Sequence, residues 1–254
     1  MTHWYERSFG SDYLALYPHR DLAEAREDVA AIGDLIAPSR DEPLLDLCCG
    51  AGRHLLALHE AGYTDLTGVD LSSVLLDAAR AGLRAGGADD VRLVRADMRR
   101  IPFRDRFQTI LSLFTSFGYF DLEDDNLETL RSAYRALRPG GTFVLDTLNR
   151  PWTIAHLAPR AETMIEGRLA RITRSISPDG RRIEKTVELT PGGEVPRSYR
   201  ESVRMYSADE LRTLLDRAGF AGVRLYGGLD GRPHDADQPR MVAIGRRSSR
   251  GEVS

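Results

Sequence analysis

Lysine is almost absent from these 254 residues: Lys185 is the only one among 35 basic side chains, and the rest are arginine. Schiff-base chemistry and a P-loop ending in Gly-Lys-Ser/Thr both need a lysine. Lys185 follows no glycine-rich turn, which removes aldolase, kinase and ATPase readings. Cysteine is scarce too. Cys48 and Cys49 are sequence neighbours, so they close no loop and offer no C-x-x-C metal spacing. No stretch approaches the roughly 18 uninterrupted apolar residues of a membrane span. Met1 to Arg7 hold no apolar leader core, and a cytoplasmic protein with no membrane partner is expected. A basic excess is also missing: 35 basic against 38 acidic residues leave a formal charge of −3. Binding to nucleic acid draws its affinity from Lys and Arg neutralising phosphates, so that partner class is disfavoured. The 42% apolar fraction is ample for a large core. A small, roughly neutral partner is favoured.

What is present is alternation. Leu44 to Cys48 is a short apolar run followed by Gly50 and Gly52, then a helical stretch Arg53 to Glu60 ending before Gly62. Asp65 to Val69 reads as a second strand, with Ser72 or Ser73 capping a helix to about Ala85. Val91 to Arg95, Phe107 to Leu113 and Gly141 to Leu145 supply three more strands, with a helix over Asp125 to Leu137. Strands alternating with helices predict a parallel sheet with right-handed crossovers. Asp21 caps a preceding helix carrying Leu22, Ala25, Val29, Ile32 and Ile36, and before it Tyr5, Phe9, Tyr13 and Tyr17 recur every four residues.

After Asn149 the period changes to two. Arg168 to Ile176, Ile183 to Leu189 and Tyr199 to Tyr206 are joined by turn-rich segments and predict an antiparallel insertion. Ser207 to Glu210 form a capping box before the helix Leu211 to Ala218, and Gly222 to Tyr226 and Arg240 to Ile244 are the last strands.

In an open parallel sheet, ligands bind beyond the carboxyl ends of the strands, here Asp46 to Gly52, Asp70, Asp97, Phe114 to Phe117 and Asp146. Asp70, 20 residues past Gly50, suits a ribose diol. That much fits NAD and S-adenosylmethionine equally. Two details separate them. A dinucleotide loop needs Gly or Ala where this chain has Leu55, and Asp46 would repel a pyrophosphate while suiting an ammonium and a sulfonium.

Asp46-Leu47-Cys48-Cys49-Gly50-Ala51-Gly52-Arg53-His54, Gly68-Val69-Asp70-Leu71-Ser72, Ala96-Asp97-Met98 and Leu137-Arg138-Pro139-Gly140-Gly141 resemble the ordered motifs of class I S-adenosylmethionine-dependent methyltransferases, within them the small-molecule and natural-product tailoring branch. The resemblance implies an α/β, Rossmann-like, doubly wound sheet of seven mainly parallel strands. It implies that Asp46 and the Cys49, Gly50, Ala51 and Gly52 backbone hold the methionine part of the cofactor. Asp70 would bind the ribose, Leu71 would lie beside the adenine, and Asp97 with Met98 would read the adenine edge. Cys48 departs from the pattern, standing where the loop usually has its first glycine. Arg20, Arg53 and Phe114 are further candidates beside the cofactor. S-adenosylhomocysteine would be the product.

Methyl transfer is an in-line displacement, so alignment and exclusion of water supply much of the catalysis. Tyr13, Tyr17 and Phe117 are the candidate catalytic wall, with Phe114, Tyr119, Phe120 and Tyr5 as further aromatic surface. Each aromatic face contributes roughly 0.5–2 kcal/mol beside a desolvated cation. His156 is the one candidate general base for an oxygen nucleophile, and Arg171 and Arg174 read as solvated strand faces. The chain lacks the Asp/Asn-Pro-Pro-Tyr/Phe run of nucleic-acid amino-methyltransferases. Asp146 and Asn149 alone are too few oxygen ligands to predict a metal.

The expectation is one domain over 1–254. It comprises a lid and helix (1–38), a cofactor-binding core (42–150), an antiparallel insertion over the acceptor pocket (160–206), and a last helix and strand pair (207–246). Methylation of a small-molecule amine is favoured over oxygen and carbon. A cyclase or ligand sensor that binds the same cofactor without methyl transfer stays open, as does a homo-oligomer.

Overall fold

The computed structural model describes residues 4, 5, 9, 21–165, 168–189 and 197–249. Asp21 opens helix α1 (Leu22–Ile36), its Oδ1 accepting from the Glu24 amide at 3.0 Å. Strand β1 (Leu44–Leu47) is buried at every position, as a central parallel strand covered on both faces must be. Helix α2 (Arg53–Glu60), β2 (Leu66–Asp70), α3 (Ser73–Ala85), β3 (Arg92–Arg95), β4 (Phe107–Ser112), α4 (Glu123–Ala136) and β5 (Leu137–Leu148) follow in alternation. After α5 (Arg150–Ala155) come β6 (Arg160–Ile165), β7 (Arg168–Ile176), β8 (Arg182–Leu189) and β9 (Arg197–Arg204), then α6 (Ala208–Arg217), β10 (Ala221–Tyr226) and β11 (Arg240–Arg246).

The main sheet has seven strands in the order β3-β2-β1-β4-β5-β11-β10. Strands β1 to β5 pair in parallel, and β11 runs antiparallel to both neighbours. One core lies between the sheet and α4 and α6, through Leu127, Leu130, Leu211 and Leu215. The other lies between the sheet and α1 to α3, through Val29, Ile32, Leu55, Leu58 and Leu76. The order reverses between β1 and β4, which opens a crevice at their carboxyl ends.

Leu55 sits in this core at full burial because the facing strand carries Gly68: a Cβ there would lie 2.5 Å from Leu55 Cδ1 and 2.8 Å from Cys49 Sγ. The small residue that brings helix and sheet together is therefore on β2 rather than in the loop.

Strands β6 to β9 form a separate antiparallel sheet. The sequence reading placed three of them. It missed β6, where only Ile165 is buried and no alternation is left to see. Helix α5, six residues begun by a proline turn, also carried no periodic signal. Strand β5 starts four residues earlier than expected. Arg138 to Gly141 join the sheet there with Gly140 at φ +83°, the Gly140 amide donating to Arg247 O at 2.8 Å and the Arg247 amide to Gly141 O at 2.9 Å.

Two arginines mount the insertion on the loop after β4. Arg182 donates to Phe120 O at 3.0 Å and to Ser202 O at 2.7 Å, and the Arg204 amide donates to Gly118 O at 2.8 Å. Burial lowers the Arg182 pKa, as withdrawal of a cation from water does.

Candidate functional site

The turn after β1 is wound tightly. Cys48, Gly50 and Gly52 have φ of 65°, 54° and 80°, so Cys48 adopts the left-handed conformation that a glycine would take without strain. Its thiol lies 3.7 Å from Met98 Sδ and is pushed well above the usual thiol range by burial, then by Asp70, Asp46 and Asp97. Asp70 at the end of β2 ties this turn down: Oδ2 accepts from the Gly50 amide at 2.9 Å and Oδ1 from the Ser72 amide at 2.8 Å. Burial raises the Asp70 pKa, and those two amides work against the rise. Each of its oxygens keeps a second acceptor site.

A cavity of about 350 Å³ opens over this floor. Cys48, Gly50, Asp70, Leu71, Asp97 and Met98 line its base, and Tyr5, Phe9, Tyr119 and Phe120 line its far wall. Asp97 is clamped by Arg99 through Nη2 at 2.6 Å. Burial pulls its carboxyl upward, but the Arg99 hydrogen bonds prevail and its pKa is lowered. Tyr5 and Phe9 close the top. Ser72 Oγ donates to Phe9 O at 2.7 Å, the Phe9 and Tyr119 rings stack at 5.5 Å, and Tyr5 meets Phe120 edge-on at 5.4 Å.

Asp46 lies beneath the turn rather than on the cavity wall. It is 2% exposed, and its Oδ2 is sealed from water without a hydrogen-bond partner. Burial pushes its carboxyl up to about 6, with the Asp70 charge adding and His54 and Arg53 opposing. A buried carboxylate with an unsatisfied oxygen is costly unless a cation or donor arrives from outside the chain.

A second cavity of about 260 Å³ adjoins the first, and Phe9 and Tyr119 line both. Its floor is Phe114, Thr115, Leu148 and Arg240 at the carboxyl edge of the sheet, and its roof is Arg174, Ile183, Lys185, Glu201 and Val203 of the insertion. Phe114 and Thr115 take φ of 60° and 62°, an unusual consecutive pair of left-handed residues without glycine. Asp146 holds them there. Its Oδ2 accepts the Phe114 amide at 2.9 Å, its carbonyl accepts the Thr115 amide at 3.1 Å, and Arg240 grips both of its carboxylate oxygens at 2.8 and 2.6 Å.

A methyltransferase-domain family model matches residues 44–141. The Bacillus subtilis (strain 168) protein YqeM is 31% identical over 117 residues, 46% of each chain. The dTDP-3-amino-3,4,6-trideoxy-alpha-D-glucopyranose N,N-dimethyltransferase of Streptomyces venezuelae is 30% identical over 237 residues, 87% of this chain and 92% of its own. The chain belongs to the S-adenosylmethionine-dependent methyltransferases. The fold agrees with a solved S-adenosylmethionine-dependent methyltransferase from Clostridium acetobutylicum ATCC 824, at TM-score 0.77 and 16% identity over 93% of this chain and 96% of that one.

The methyltransferase's own residues fit its cofactor. The Asp70 and Asp97 carboxylates on the cavity floor, with the orphaned Asp46 oxygen beneath the turn, suit a sulfonium and an ammonium and disfavour a pyrophosphate. Of the sequence-derived cofactor set, Gly50, Leu71, Asp70, Asp97 and Met98 line the first cavity. Cys49, Ala51 and Gly52 shape the turn without reaching that wall. Arg53 turns away: it pairs with Glu24 and lies 4.5 Å over the Phe114 ring. Phe114 belongs to the second cavity, not the first. Tyr13, Tyr17 and Arg20 lie outside the described residues.

Phe117 is a correction. It is 2% exposed and lines neither cavity, because its ring packs into the core against Tyr206 at 5.4 Å while its neighbours Ser116 and Tyr119 face the first cavity. Phe117→Ala is therefore expected to cost roughly 3–5 kcal/mol in chemical denaturation. Unchanged stability with lost acceptor affinity would return the ring to the wall. His156 is exposed and stacked on Trp152 at 4.5 Å, away from both cavities. Arg171 is exposed beside Glu162, but Arg174 lines the second cavity rather than a solvated face. Lys185, Glu201 and Arg240 went unread as site residues. The singular lysine was the one signal available for them.

Proposed function

We propose that this methyltransferase modifies an amine nitrogen of a small molecule seated in the second cavity. The observation that carries the reading is the adjoining pair of cavities, the first holding Asp70 and Asp97 beside Arg95, the second Arg174, Lys185 and Arg240 beside Glu201, with Phe9 and Tyr119 in both walls. When bound, S-adenosylmethionine supplies an electrophilic methyl group. Asp46 and the Gly50–Gly52 turn hold its methionine end, Asp70 holds the ribose, and Leu71, Asp97 and Met98 hold the adenine. Phe9 and Tyr119 confine the acceptor and exclude water at the junction.

The cations of the second cavity decide the nucleophile. Arg174, which no described carboxylate pairs with, disfavours an ammonium nearby, so an acceptor amine enters with its lone pair free and needs no general base. A hydroxyl would need one. Glu201 faces Lys185 at 3.6 Å, and His156 is elsewhere. The amino-sugar N,N-dimethyltransferase among the relatives supports nitrogen, and a place in natural-product tailoring goes with it. Incubation with methyl-labelled cofactor and paired amine and hydroxyl acceptors of one scaffold tests this. Label on nitrogen is expected, whereas label only on oxygen or carbon, or none on any acceptor, refutes it.

A further inference from the structure

Three strands of the insertion place charges side by side over the second cavity. Arg174 on β7 is the register partner of Lys185 on β8, and Lys185 is the register partner of Glu201 on β9. Register partners share one face of a sheet, and like charges directly opposite one another are destabilising. Glu201 offsets one of the two cations, with Lys185 Nζ 3.6 Å from its carboxylate and both side chains mostly buried. Among the described residues no carboxylate pairs with Arg174, whose guanidinium donates only to Ala158 O, at 3.4 Å. Arg240, across the cavity, is already compensated by Asp146. Among the described residues, Arg174 thus brings to the roof a positive charge that no carboxylate pairs with, in the same space that favours a neutral amine.

We propose that the acceptor carries an anionic group, a carboxylate or a phosphate, which bridges Arg174 and Lys185 while its amine points toward the Phe9–Tyr119 junction. The inference rests on the reading that this cavity seats the acceptor. Arg174 and Lys185 are then specificity-determining residues, and the sequence's single lysine acquires a role there. An ammonium offers three donors on a flexible stem, which suits an anion whose position is fixed by the rest of the molecule.

Trp4 lines this cavity, and Trp152 is the chain's only other tryptophan, so a Trp152→Phe background isolates the reporting indole. Glucosamine, glucosamine 1-phosphate and glucosaminuronic acid are titrated with S-adenosylhomocysteine saturating. At least one of the two acids is expected to bind at least about tenfold tighter than glucosamine. Whichever does so identifies phosphate or carboxylate. Lys185→Met and Arg174→Gln each reduce that ratio, Lys185→Arg retains it, and S-adenosylhomocysteine affinity stays constant as the check on folding. Equal affinities for the three probes, a preference that survives both charge-removing variants, or no quenching by any probe at millimolar concentration overturns the proposal. Methyl transfer to an uncharged amine as efficient as to its acidic analogue would remove this inference and leave the amine reading intact. No transfer to any amine would remove the amine reading itself.

Discussion

Asp46→Asn is expected to give a protein that is more stable without its cofactor and much poorer at binding it. Burial raises the Asp46 carboxyl to about 6 in the folded chain, against an ordinary value of 3.8. A carboxyl whose pKa is raised by folding favours the folded state while it is protonated, and that contribution is lost as pH rises from about 4 through about 6. At neutral pH the ionised side chain therefore costs roughly 3 kcal/mol. The amide, similar in shape and uncharged, recovers part of it, so the variant's advantage in denaturant should be larger at pH 7.5 than at pH 5. The same substitution removes the charge proposed to receive the methionine ammonium. Hydrogen bonds to charged groups contribute roughly 1.5–3 kcal/mol, which corresponds to an affinity loss on the order of 10- to 100-fold. A variant less stable at both pH values, or one binding as tightly as the parent, would contradict this account of Asp46.

Gly118→Ala is expected to be the most damaging single-methyl change in the site. Gly118 has φ +94°, and a Cβ there would lie 2.5 Å from Arg204 O and 3.2 Å from Arg204 N. Neither obstacle can rotate away, because both are backbone and the Arg204 amide is bonded to Gly118 O. The left-handed backbone and the forced separation together should cost roughly 3 kcal/mol or more. The loss should be local in its consequences. The acid floor of the first cavity is built by β1 to β3, and only its far wall, through Tyr119 and Phe120, is next to Gly118, so the surviving folded protein should lose more acceptor affinity than cofactor affinity. Retention of both, or loss of the cofactor first, would show that the insertion does not depend on this contact.

How much of this was legible beforehand follows from how far apart in sequence the determinants lie. The segment Asp46 to Asp97 could be read almost whole. Its strands are short apolar runs, its helices carry their own caps at Ser72 and Gly52, and its carboxylates end strands that topology brings together. Helix α2 over Arg53–Glu60 matches the expectation because glycine turns bound it on both sides. The acceptor side is different. Arg174, Lys185 and Glu201 come from three strands whose register depends on turns, and Arg240 arrives from the last strand to hold Asp146. No spacing rule links them. The misplacement of Phe117 has the same kind of cause: an aromatic run after β4 fixes composition, whereas a distant partner, Tyr206, holds that ring in the core. Cys48 shows the reverse case. The chain departs from glycine and keeps the backbone conformation that glycine would have served.

Calorimetry of S-adenosylhomocysteine binding at pH 6, repeated in buffers of different ionisation enthalpy, tests the electrostatic core of this account most directly. If the buried Asp46 carboxylate receives the cofactor's ammonium, binding draws its pKa down and releases roughly half a proton per site at that pH. The release should fade by pH 8 and be absent in Asp46→Asn. Proton uptake, no exchange at pH 6, or the same release in the variant would contradict it.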